Sequence, residues 1–461
     1  MTHPLATDKI VQAGVIGTGQ YATAIVTQAE SIANLNVPIV ADTNLETGRK
    51  AFELAGYDAS QVIVAENRAD ALAGIETNKK VVVQDANIIM GLPLDVIAEG
   101  TGNPTAGALH AVSALQNGKH VVMVTKETDM VVGAGLRRIA KQAGRVYTAA
   151  DGDQPSHLIS LIEWCRQIGL EVLCGGKFGE KHIFIDLHNR QIRFRRGEPQ
   201  ELSAEEAEIF RPLLTADEQP RLHEIIAQRK ERLGDAIDVR TDDLTEQGIV
   251  ANATGLSIER DRFHHPVVWP NEMPAVLAPT TYGGILEGRG VIEQSTYLRS
   301  DNDTSMGGGV YVTVHASNEY SKSIVSGKGH ICNPDGTSTL IFRPYHLCGV
   351  ETPYSILTAA LKGIPTAGEN MNQNYDSFGR AKQNLPSGTD LHGAHDDKWE
   401  TFLASATKIG DNTTKDPLPY HIGTGSRLTQ NVSAGTVLTQ SMVENISESP
   451  LWKLRAQQDR E

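Results

Sequence analysis

Gly17, Gly19 and Ala22 are the residues whose spacing points most directly to chemistry. They form G-x-G-x-x-A in AGVIGTGQYATAIV, directly after an apolar run and before a helical pattern. The first glycine permits a tight turn, the second lets a pyrophosphate approach the backbone, and the small third residue packs the helix on the strand. The first N–H groups of that helix, around Gln20 and Tyr21, would face the phosphates. The turn predicts a dinucleotide-binding site, and a strand–helix turn without a nucleotide is the structural alternative.

Asp42 bears on which dinucleotide binds. It ends the next strand-like run, PIVAD, where NAD-binding proteins carry the carboxylate that accepts the ribose 2′-OH and repels a 2′-phosphate. Asn44, Arg49 and Lys50 follow, and a small turn with a nearby arginine accommodates that phosphate if Asp42 swings away. Arg49 and Lys50 could equally be a solvated helix face. On the residues alone, the choice between NAD and NADP stays open.

A second strand end lies at DVIAEG, which opens into Thr101, Gly102, Asn103 and Pro104. Ligands of open α/β sheets collect at the carboxyl ends of strands, so we expect this segment and Glu99 near the nicotinamide half. An ordinary helix entry, with asparagine as N-cap and proline at the first helical position, is the structural reading of the same residues.

Two lysines are placed to stabilise a developing alkoxide, which lowers the barrier to hydride transfer. Lys126 follows the strand-like run HVVMVT, and Lys177 follows EVLCGG. Glu127 and Asp153 are carboxylates at neighbouring strand ends, suited to orienting a lysine or accepting a proton. We predict that Lys177, supported by Asp153, stabilises the substrate oxyanion, although a lysine at a strand end is often a surface residue.

His346 is the predicted proton-transfer partner. It lies in FRPYHLCGVE, with Glu351 five residues further on. The reference pKa of histidine, about 6.5, suits proton transfer near neutrality. A neutral histidine hydrogen-bonded in the core is the alternative.

Two clusters could bind a metal, but we assign no metal ligand. Asp238, Asp242 and Asp243 offer oxygen ligands of the kind that Mg²⁺ shares with a phosphorylated substrate. Such a run is more often a solvated face. His392 and His395 have H-x-x-H spacing without an identifiable third ligand.

The elements that must position these residues form an α/β pattern. Between residues 11 and 150, short apolar runs alternate with helical segments, which predicts a Rossmann-like, doubly wound parallel sheet. We predict three domains: an NAD(P)-binding domain at 1–155, an α+β catalytic domain at 156–366, and a small β-rich module at 367–461.

The composition excludes several classes of protein. The chain has 461 residues with 42 Lys+Arg against 56 Asp+Glu, a formal net charge of −14 that disfavours nucleic acid as a partner. The densest basic run, RQIRFRRGEP, is short. The four cysteines show neither C-x-x-C spacing nor disulfide density, and neither a signal peptide nor a membrane span is evident. We expect a cytoplasmic homo-oligomer that acts on a small molecule.

Several motifs together resemble the deoxyxylulose-phosphate-reductoisomerase-like proteins. They include EGTGNPTAGA, VMVTKETD, DGDQP, CGGKFG, VANATGL, FRPYHLCGVETPYSI and LPYHIGTGSRLTQNVSAGTVLT. The resemblance implies a homoserine-dehydrogenase-like nucleotide domain, a catalytic middle domain and a C-terminal SAF-type module. It also implies an NADPH-linked enzyme and, in the best-known members, conversion of 1-deoxy-D-xylulose 5-phosphate to 2-C-methyl-D-erythritol 4-phosphate. The chain lacks the F-x-D-G-T-K run that usually precedes A-N-A-T-G-L, and it reads CGGKFGEKHIF where a G-K-G-T-K-Y-type run is usual. The resemblance implies that these positions line the substrate pocket, so it predicts the scaffold and the cofactor better than the substrate.

The leading hypothesis is therefore an NAD(P)-dependent oxidoreductase, with NADP expected from the resemblance and NAD as the alternative. Its substrate would be a small sugar phosphate or polyhydroxylated carbonyl compound, with or without isomerisation. The alternatives are a plain dehydrogenase of the homoserine-dehydrogenase type and a non-catalytic, nucleotide-dependent carbohydrate-binding or regulatory protein.

Overall fold

The computed structural model describes residues 7–213, 215–393, 396–409 and 416–461. The chain divides into two compact units. The first comprises Met1–Ser156, Leu347–Thr401 and Ser405–Glu461, and the second comprises His157–His346 and Phe402–Ala404.

The N-terminal part of the first unit is a seven-stranded sheet in which every strand pair is parallel. The strand order is β3-β4-β2-β1-β5-β6-β7. Its strands are β1 (Val11–Ile16), β2 (Leu35–Ala41), β3 (Val62–Val64), β4 (Lys80–Val83), β5 (Val96–Glu99), β6 (His120–Met123) and β7 (Tyr147–Ala149). Runs such as KVVV in β4 are buried throughout, as expected of strands covered on both faces. The predicted Rossmann-like α/β class is confirmed.

Helices connect the parallel strands, as crossover connections require. They are α1 (Gln20–Ala29), α2 (Leu45–Leu54), α3 (Arg68–Glu76), α4 (Asn87–Met90), α5 (Pro104–Gln116) and α6 (Lys126–Gln142). The next helix, α7 (Gln154–Gln167), begins in the first unit and continues into the second.

The second unit is built on a mixed sheet with the order β11-β10-β9-β13-β8-β14-β15, and β12 pairs with β13. Its strands are β8 (Glu171–Phe178), β9 (Ile183–Asp186), β10 (Gln191–Phe194), β11 (Gln200–Glu201), β12 (Val267–Val268), β13 (Val291–Arg299), β14 (Val310–His315) and β15 (Thr339–Arg343). Its helices are α8 (Ala204–Ile209), α9 (Leu222–Leu233), α10 (Thr241–Thr254), α11 (Met273–Val276) and α12 (Glu319–Gly327). The central strand β13 runs parallel to β8 and β9, whereas β14 runs antiparallel to β8.

The chain then returns to the first unit. The remaining elements are α13 (Thr352–Lys362), β16 (Tyr375–Ala381), β17 (Trp399–Ser405), α14 (Tyr420–Gly423) and α15 (Pro450–Arg460). Helix α13 packs on α1 and β1, and α15 packs on α5 and α6. A buried bidentate ion pair joins Arg455 of α15 to Asp376 of β16, with N–O distances of 2.8 and 2.7 Å. The C-terminal helix is thereby fixed to the β-rich segment.

The grouping of residues differs from the predicted three-domain division. The first boundary, after Ser156, lies beside the predicted one, but residues 347–366 and most of 367–461 group with the nucleotide-type sheet. The reason is a shared core: Trp399, Leu428 and Leu451 belong to the same hydrophobic cluster as Ile39 and Leu115. Residues 367–461 do contain two strands and several isolated β-bridges.

Among the described residues, no helix combines the length and the apolar character needed to cross a lipid bilayer.

Candidate functional site

Gly17 forms the turn at the carboxyl end of β1, and the fold requires a glycine there. Its φ is +80°, in the left-handed region, and a Cβ would lie 2.6 Å from the Gly100 carbonyl oxygen. Its N–H donates to the Ala41 carbonyl at 2.8 Å. The β1 turn is therefore pressed against the loop after β5, which leaves no space for a side chain.

Gly19 is under no such constraint. Its φ is −64°, and a Cβ built on it would meet no heavy atom within 4 Å. Gly19 is the N-cap of α1, and no side chain of the described residues caps that helix end. The first turn of α1 contains no acidic residue. Open space before an uncapped helix N-terminus fits a phosphate group, because helix N–H groups and the helix dipole both favour an anion.

Gln20, Tyr21 and Ala22 follow on α1. Gln20 is exposed, and Ala22 is buried against the sheet as predicted for the small third residue. The Tyr21 hydroxyl donates to the Asp151 carbonyl at 3.1 Å and accepts from Thr352 at 3.2 Å. Burial, and then the nearby charge of Asp153, raise the pKa of Tyr21. Tyr21 is thus anchored within the first unit through its hydroxyl group.

Asp42 holds the neighbouring loop. Its Oδ2 accepts from the Thr18 N–H at 2.7 Å and from the Thr18 hydroxyl at 2.6 Å, and its Oδ1 accepts from the Asn44 N–H at 2.8 Å. Burial alone would raise the pKa of Asp42, but these hydrogen bonds outweigh it and lower the pKa below its ordinary value. The carboxylate is therefore ionised and tied to the phosphate-type turn through Thr18.

The residues that would read a 2′-phosphate have other contacts. Asn44 caps α2 by accepting from the Glu46 N–H at 3.1 Å. Arg49 lies 3.9 Å from Glu46, and Lys50 lies 3.0 Å from Glu53, both at i,i+3 spacing. Exposed pairs of this kind contribute little stability, so they leave both cations free to move.

The loop after β5 has the predicted helix-entry form. Asn103 caps α5 by accepting from the Ala106 N–H at 3.0 Å. The Thr101 hydroxyl donates to the fully buried Glu99 at 2.6 Å, and the Gly102 N–H donates to Thr125 at 3.0 Å. These hydrogen bonds hold the loop at the carboxyl ends of neighbouring strands, beside the Gly17 turn.

Lys126, Glu127 and Asp153 all lie at helix starts in the first unit. Lys126 and Glu127 begin α6. Burial, and to a smaller degree the charge of Lys126, lower the pKa of the buried His421 to about 3. The Asp153 carboxylate accepts from the Gln154 N–H at 2.9 Å at the start of α7.

Lys177 lies in the second unit with an environment that the sequence did not reveal. Its side chain is 1% exposed, and its ammonium donates to Asp243 at 2.7 Å and to Glu246. Burial would lower the pKa of Lys177, but the charges of Glu246 and Asp243 raise it to about 12. Burial opposes ionisation of Asp243 as well, yet Lys177 holds the pKa of that carboxyl well below its usual range. The three side chains form one buried, charged cluster.

A cavity of about 450 Å³ adjoins this cluster in the second unit. Asp243 and Gln294 belong to its wall, and the Gln294 amide donates to Asp243 Oδ2 at 3.1 Å. The lining residues are Gly179, Glu180, Lys181, His182, Phe194, Arg195, Arg196, Ile237, Asp238, Arg240, Asp243, His265, Gln294 and Thr296.

The charged groups of the cavity are unequally paired. Each of its three carboxylates has a cation: Glu180 lies 3.5 Å from Arg240, Asp238 2.9 Å from Arg262, and Asp243 2.7 Å from Lys177.

Three cavity cations, Lys181, Arg195 and Arg196, form no ion pair with any residue in the described part of the chain. All three are exposed. The wall therefore carries an excess of positive charge that favours an anionic ligand.

His346 lies outside this arrangement, and, among the described residues, neither group considered for a metal forms a metal site. His346 contacts the Gly308 carbonyl through Nδ1 at 2.6 Å and does not line the cavity. Asp243 and Asp238 are paired with cations, as described above. His392 is exposed, and His395 lies outside the described residues. Across the described ranges, no group of three or more His, Cys, Asp or Glu side chains could hold a metal ion.

From sequence, the run CGGKFGEKHIF was expected to line the substrate pocket, and it contains Lys181 and His182 of the cavity wall. Most of the other cavity residues were not identified from sequence. Arg195 and Arg196 belong to the basic run RQIRFRRGEP, whose charge was the available signal. His265 carried a signal visible only in the backbone: it is not a glycine, yet its φ is +52°, and such strained residues cluster at functional sites.

Residues 235–352 match a family model described as "Oxidoreductase DRL, catalytic domain". No protein of curated function matches the chain significantly.

Among solved structures, a probable dehydrogenase from Thermotoga maritima is 11% identical over 78% of this chain and 91% of its own length, with a TM-score of 0.38. The myo-inositol dehydrogenase from Lactobacillus casei, solved with NAD(H) and myo-inositol, is 17% identical over 37% of this chain, with a TM-score of 0.28. The apo scyllo-inositol dehydrogenase from the same organism is 12% identical over 38% of this chain, with a TM-score of 0.26. The chain spans less than half of the length of each inositol dehydrogenase, 46% in both cases. Similarities of this size establish no shared substrate.

The family match covers about a quarter of the chain, so the resemblance to reductoisomerase-like proteins stays a prediction, as does the SAF-type assignment. The match names an oxidoreductase catalytic domain, and the first unit has the parallel sheet and glycine turn of a dinucleotide-binding fold. The family match supports the predicted oxidoreductase class, and the NAD(P)-dependent activity of the whole chain stays a prediction.

Proposed function

We propose that the protein transfers a hydride between a nicotinamide dinucleotide and a small, anionic, polyhydroxylated compound. The excess of cations in the cavity of the second unit is the observation that supports an anionic substrate. Three cations of that cavity, Lys181, Arg195 and Arg196, have no carboxylate partner among the described residues. Each carboxylate of the cavity, in contrast, is paired with a cation. A phosphate or carboxylate group would supply the missing charge through charge-assisted hydrogen bonds.

The β1 turn is the proposed dinucleotide site. Gly17 is required by the fold, but Gly19 is not, and its missing side chain leaves open space at the N-terminus of α1. A pyrophosphate in that space would accept hydrogen bonds from the first N–H groups of α1. Thr101, Gly102 and Asn103 form the adjoining loop. The bound nicotinamide would supply the hydride chemistry.

We further propose NAD as the preferred dinucleotide, although the resemblance implied NADP. Asp42 stays ionised because Thr18 and Asn44 donate to it, and these contacts prevent it from swinging away without breaking the turn. An ionised carboxylate at the end of the second strand accepts a ribose 2′-OH and repels a 2′-phosphate.

Lys177 is proposed to act with Asp243 and Glu246 instead of Asp153, by holding the Asp243 carboxylate in place in the cavity wall. The cluster carries one buried ammonium and two buried carboxylates beside the cavity. The cluster carries a net negative charge and fixes the position of Asp243, so the positive charge for an oxyanion would come from the cavity cations Lys181, Arg195 and Arg196. The family match names an oxidoreductase, which supports hydride transfer as the reaction.

A turnover screen tests the proposed function. The protein is incubated with NADH or NAD⁺ and a panel of sugar phosphates, aldonic acids and uncharged polyols, and absorbance at the reduced-nicotinamide band is followed. We expect turnover with anionic members of the panel only. Turnover confined to uncharged polyols would refute the anionic substrate class, and dinucleotide binding without any turnover would favour a non-catalytic binding protein.

A double variant tests the cavity cations. Arg195→Ala/Arg196→Ala should weaken binding of inorganic phosphate, measured by calorimetry, by about tenfold or more, because each charge-assisted hydrogen bond contributes about 1.5–3 kcal/mol. Arg193→Ala is the matched control, since Arg193 pairs with Asp301 and does not line the cavity. Equal phosphate affinity in the double variant and the wild-type protein would remove these arginines from the site.

A further inference from the structure

His182 is a histidine of the cavity wall in which one ring nitrogen makes no hydrogen bond to the described residues. It lines the cavity and is partly exposed, and its Nδ1 lies 3.2 Å from the Tyr297 hydroxyl. Its Nε2 makes no hydrogen bond to any residue that the structure describes. The ring is therefore anchored on one side and available on the other.

A buried phenol and a serine stand behind His182. Tyr297 lies on β13, is 0% exposed, and has its hydroxyl 3.2 Å from the Ser305 hydroxyl as well as from His182 Nδ1. Gly307 makes room for the imidazole, because a Cβ there would lie 3.3 Å from both Cε1 and Nε2. Tyr297, Ser305 and Gly307 together define the orientation of the ring.

Burial and the nearby positive charges both favour the neutral form of His182. Burial, followed by the positive charges of Arg299 and Arg195, lowers its pKa below the ordinary value, and Glu180 opposes this shift. Lys181 is its neighbour in sequence. A neutral imidazole with an unshared Nε2 electron pair can accept a proton, and an anion bound near Arg195 would make it a stronger base.

We propose that His182 is a catalytic residue that accepts the hydroxyl proton of the substrate at Nε2, with Tyr297 as its positioning residue. In the oxidative direction the substrate O–H bond breaks, its proton moves to Nε2, and its electron pair forms the carbonyl π bond. A bound, oxidised nicotinamide dinucleotide would accept the hydride that leaves as the C–H bond breaks at the same carbon. The inference rests on the proposed function.

The role requires one tautomer. Nδ1 carries the hydrogen and donates to the Tyr297 oxygen, and the Tyr297 hydroxyl donates to Ser305, which leaves Nε2 without a proton. The hydrogen bond that one ring nitrogen makes determines whether the other ring nitrogen is protonated.

The other histidines considered fit the role less well. His265 lines the cavity but is 3% exposed, and its Nε2 already contacts the Thr296 hydroxyl at 2.9 Å. His346 does not line the cavity.

Nitrogen NMR on histidine-labelled protein tests the tautomer without any substrate. The His182 signals are identified by their loss in His182→Asn. We expect the Nδ1–H form in the wild-type protein and a larger share of the Nε2–H form in Tyr297→Phe, which keeps the aromatic ring beside Phe178 and removes the hydroxyl. A wild-type protein with His182 mainly in the Nε2–H form would overturn the proposal.

Inorganic phosphate is the second probe. Phosphate near Arg195 should raise the pKa of His182 by about 0.5 or more, because an anion stabilises the imidazolium. Calorimetry in parallel distinguishes two failures. Phosphate that does not bind overturns the proposed anionic site, whereas phosphate that binds without changing the titration of His182 overturns the assignment of His182 alone.

Kinetics with the panel compound that the wild-type protein oxidises fastest complete the test. His182→Asn should lower kcat by about 10²–10⁴-fold with dinucleotide affinity unchanged, the usual contribution of a positioned acid–base group. His188→Asn is the matched control, because His188 is exposed in the turn between β9 and β10 and does not line the cavity. Tyr297→Phe should lower kcat with little change in KM. Wild-type kcat in His182→Asn would overturn the proposal.

Discussion

The two glycines of the β1 turn should respond in opposite ways to substitution. At Gly17 the φ of +80° disfavours any L-residue by about 1–2 kcal/mol, and a Cβ 2.6 Å from the Gly100 carbonyl oxygen adds overpacking of about 1–3 kcal/mol. Gly17→Ala should therefore destabilise the folded protein by about 2–5 kcal/mol, which lowers Tm by about 4–9 °C for a unit of this size.

Gly19 should show the reverse behaviour. Its φ of −64° suits any residue, and a Cβ meets no heavy atom within 4 Å. Gly19→Ala and Gly19→Val should therefore lower the free energy of unfolding by no more than about 1 kcal/mol, because the only cost is that alanine and valine are poorer N-caps than glycine. A side chain there occupies the space proposed for the pyrophosphate. Loss of one charge-assisted hydrogen bond costs about 1.5–3 kcal/mol, which corresponds to about 10–150-fold weaker binding.

Fluorescence titration with NADH and thermal unfolding, both on the same preparations, test the pair. The informative result is a Gly19→Val protein with a Tm close to the wild-type value and weakened NADH binding, since it separates the ligand from the fold. If Gly19→Val bound NADH and NADPH as tightly as the wild-type protein, the turn would not be the dinucleotide site. If Gly17→Ala kept the wild-type Tm, the inferred close approach to Gly100 would be wrong.

Three further predictions follow from individual side chains. Asp42→Asn should weaken NADH binding by about tenfold and reduce the preference for NADH over NADPH. If the ratio of the NADH and NADPH dissociation constants stayed unchanged, Asp42 would not be the residue that selects between the two cofactors. Lys177→Met should lower stability at pH 7 by about 3–5 kcal/mol, because it leaves Asp243 and Glu246 buried without their cation. In the wild-type protein the cluster stabilises the fold between about pH 4, the unfolded pKa of aspartate, and about pH 10.4, the unfolded pKa of lysine. Its contribution is lost at lower pH, as the lowered pKa of Asp243 is crossed, and at higher pH, as the raised pKa of Lys177 is crossed. In Lys177→Met the buried carboxyls have raised pKa values, so Tm should be higher at pH 5 than at pH 8, and the opposite order would contradict the cluster as described. His346→Asn should lower Tm by removing the contact to the Gly308 carbonyl while phosphate binding, measured by calorimetry, stays at the wild-type level.

The local features were predictable from sequence because they depend on neighbouring residues. The G-x-G-x-x-A turn, the strand that precedes it, the cap at Asn103 and the carboxylate at Asp42 each act within one βα unit, and the structure has all of them. Residues 347–461 were harder to assign, because the burial of Trp399 and Leu451 depends on a core shared with strands more than 200 residues away in sequence.

The partners of Lys177 could be found only in the tertiary structure. The position of Lys177 at a strand end was evident from sequence, but Asp243 and Glu246 lie on α10, more than 60 residues later. On sequence alone, Asp243 suggested a metal site or a solvated face. Likewise, His182, Tyr297 and Arg195 are separate in sequence and meet only because β9, β10 and β13 are neighbours in one sheet. Sequence predicted the class of cofactor through a local turn, whereas long-range strand order decided which charges surround the cavity, because side-chain pairing across a sheet has no local sequence pattern.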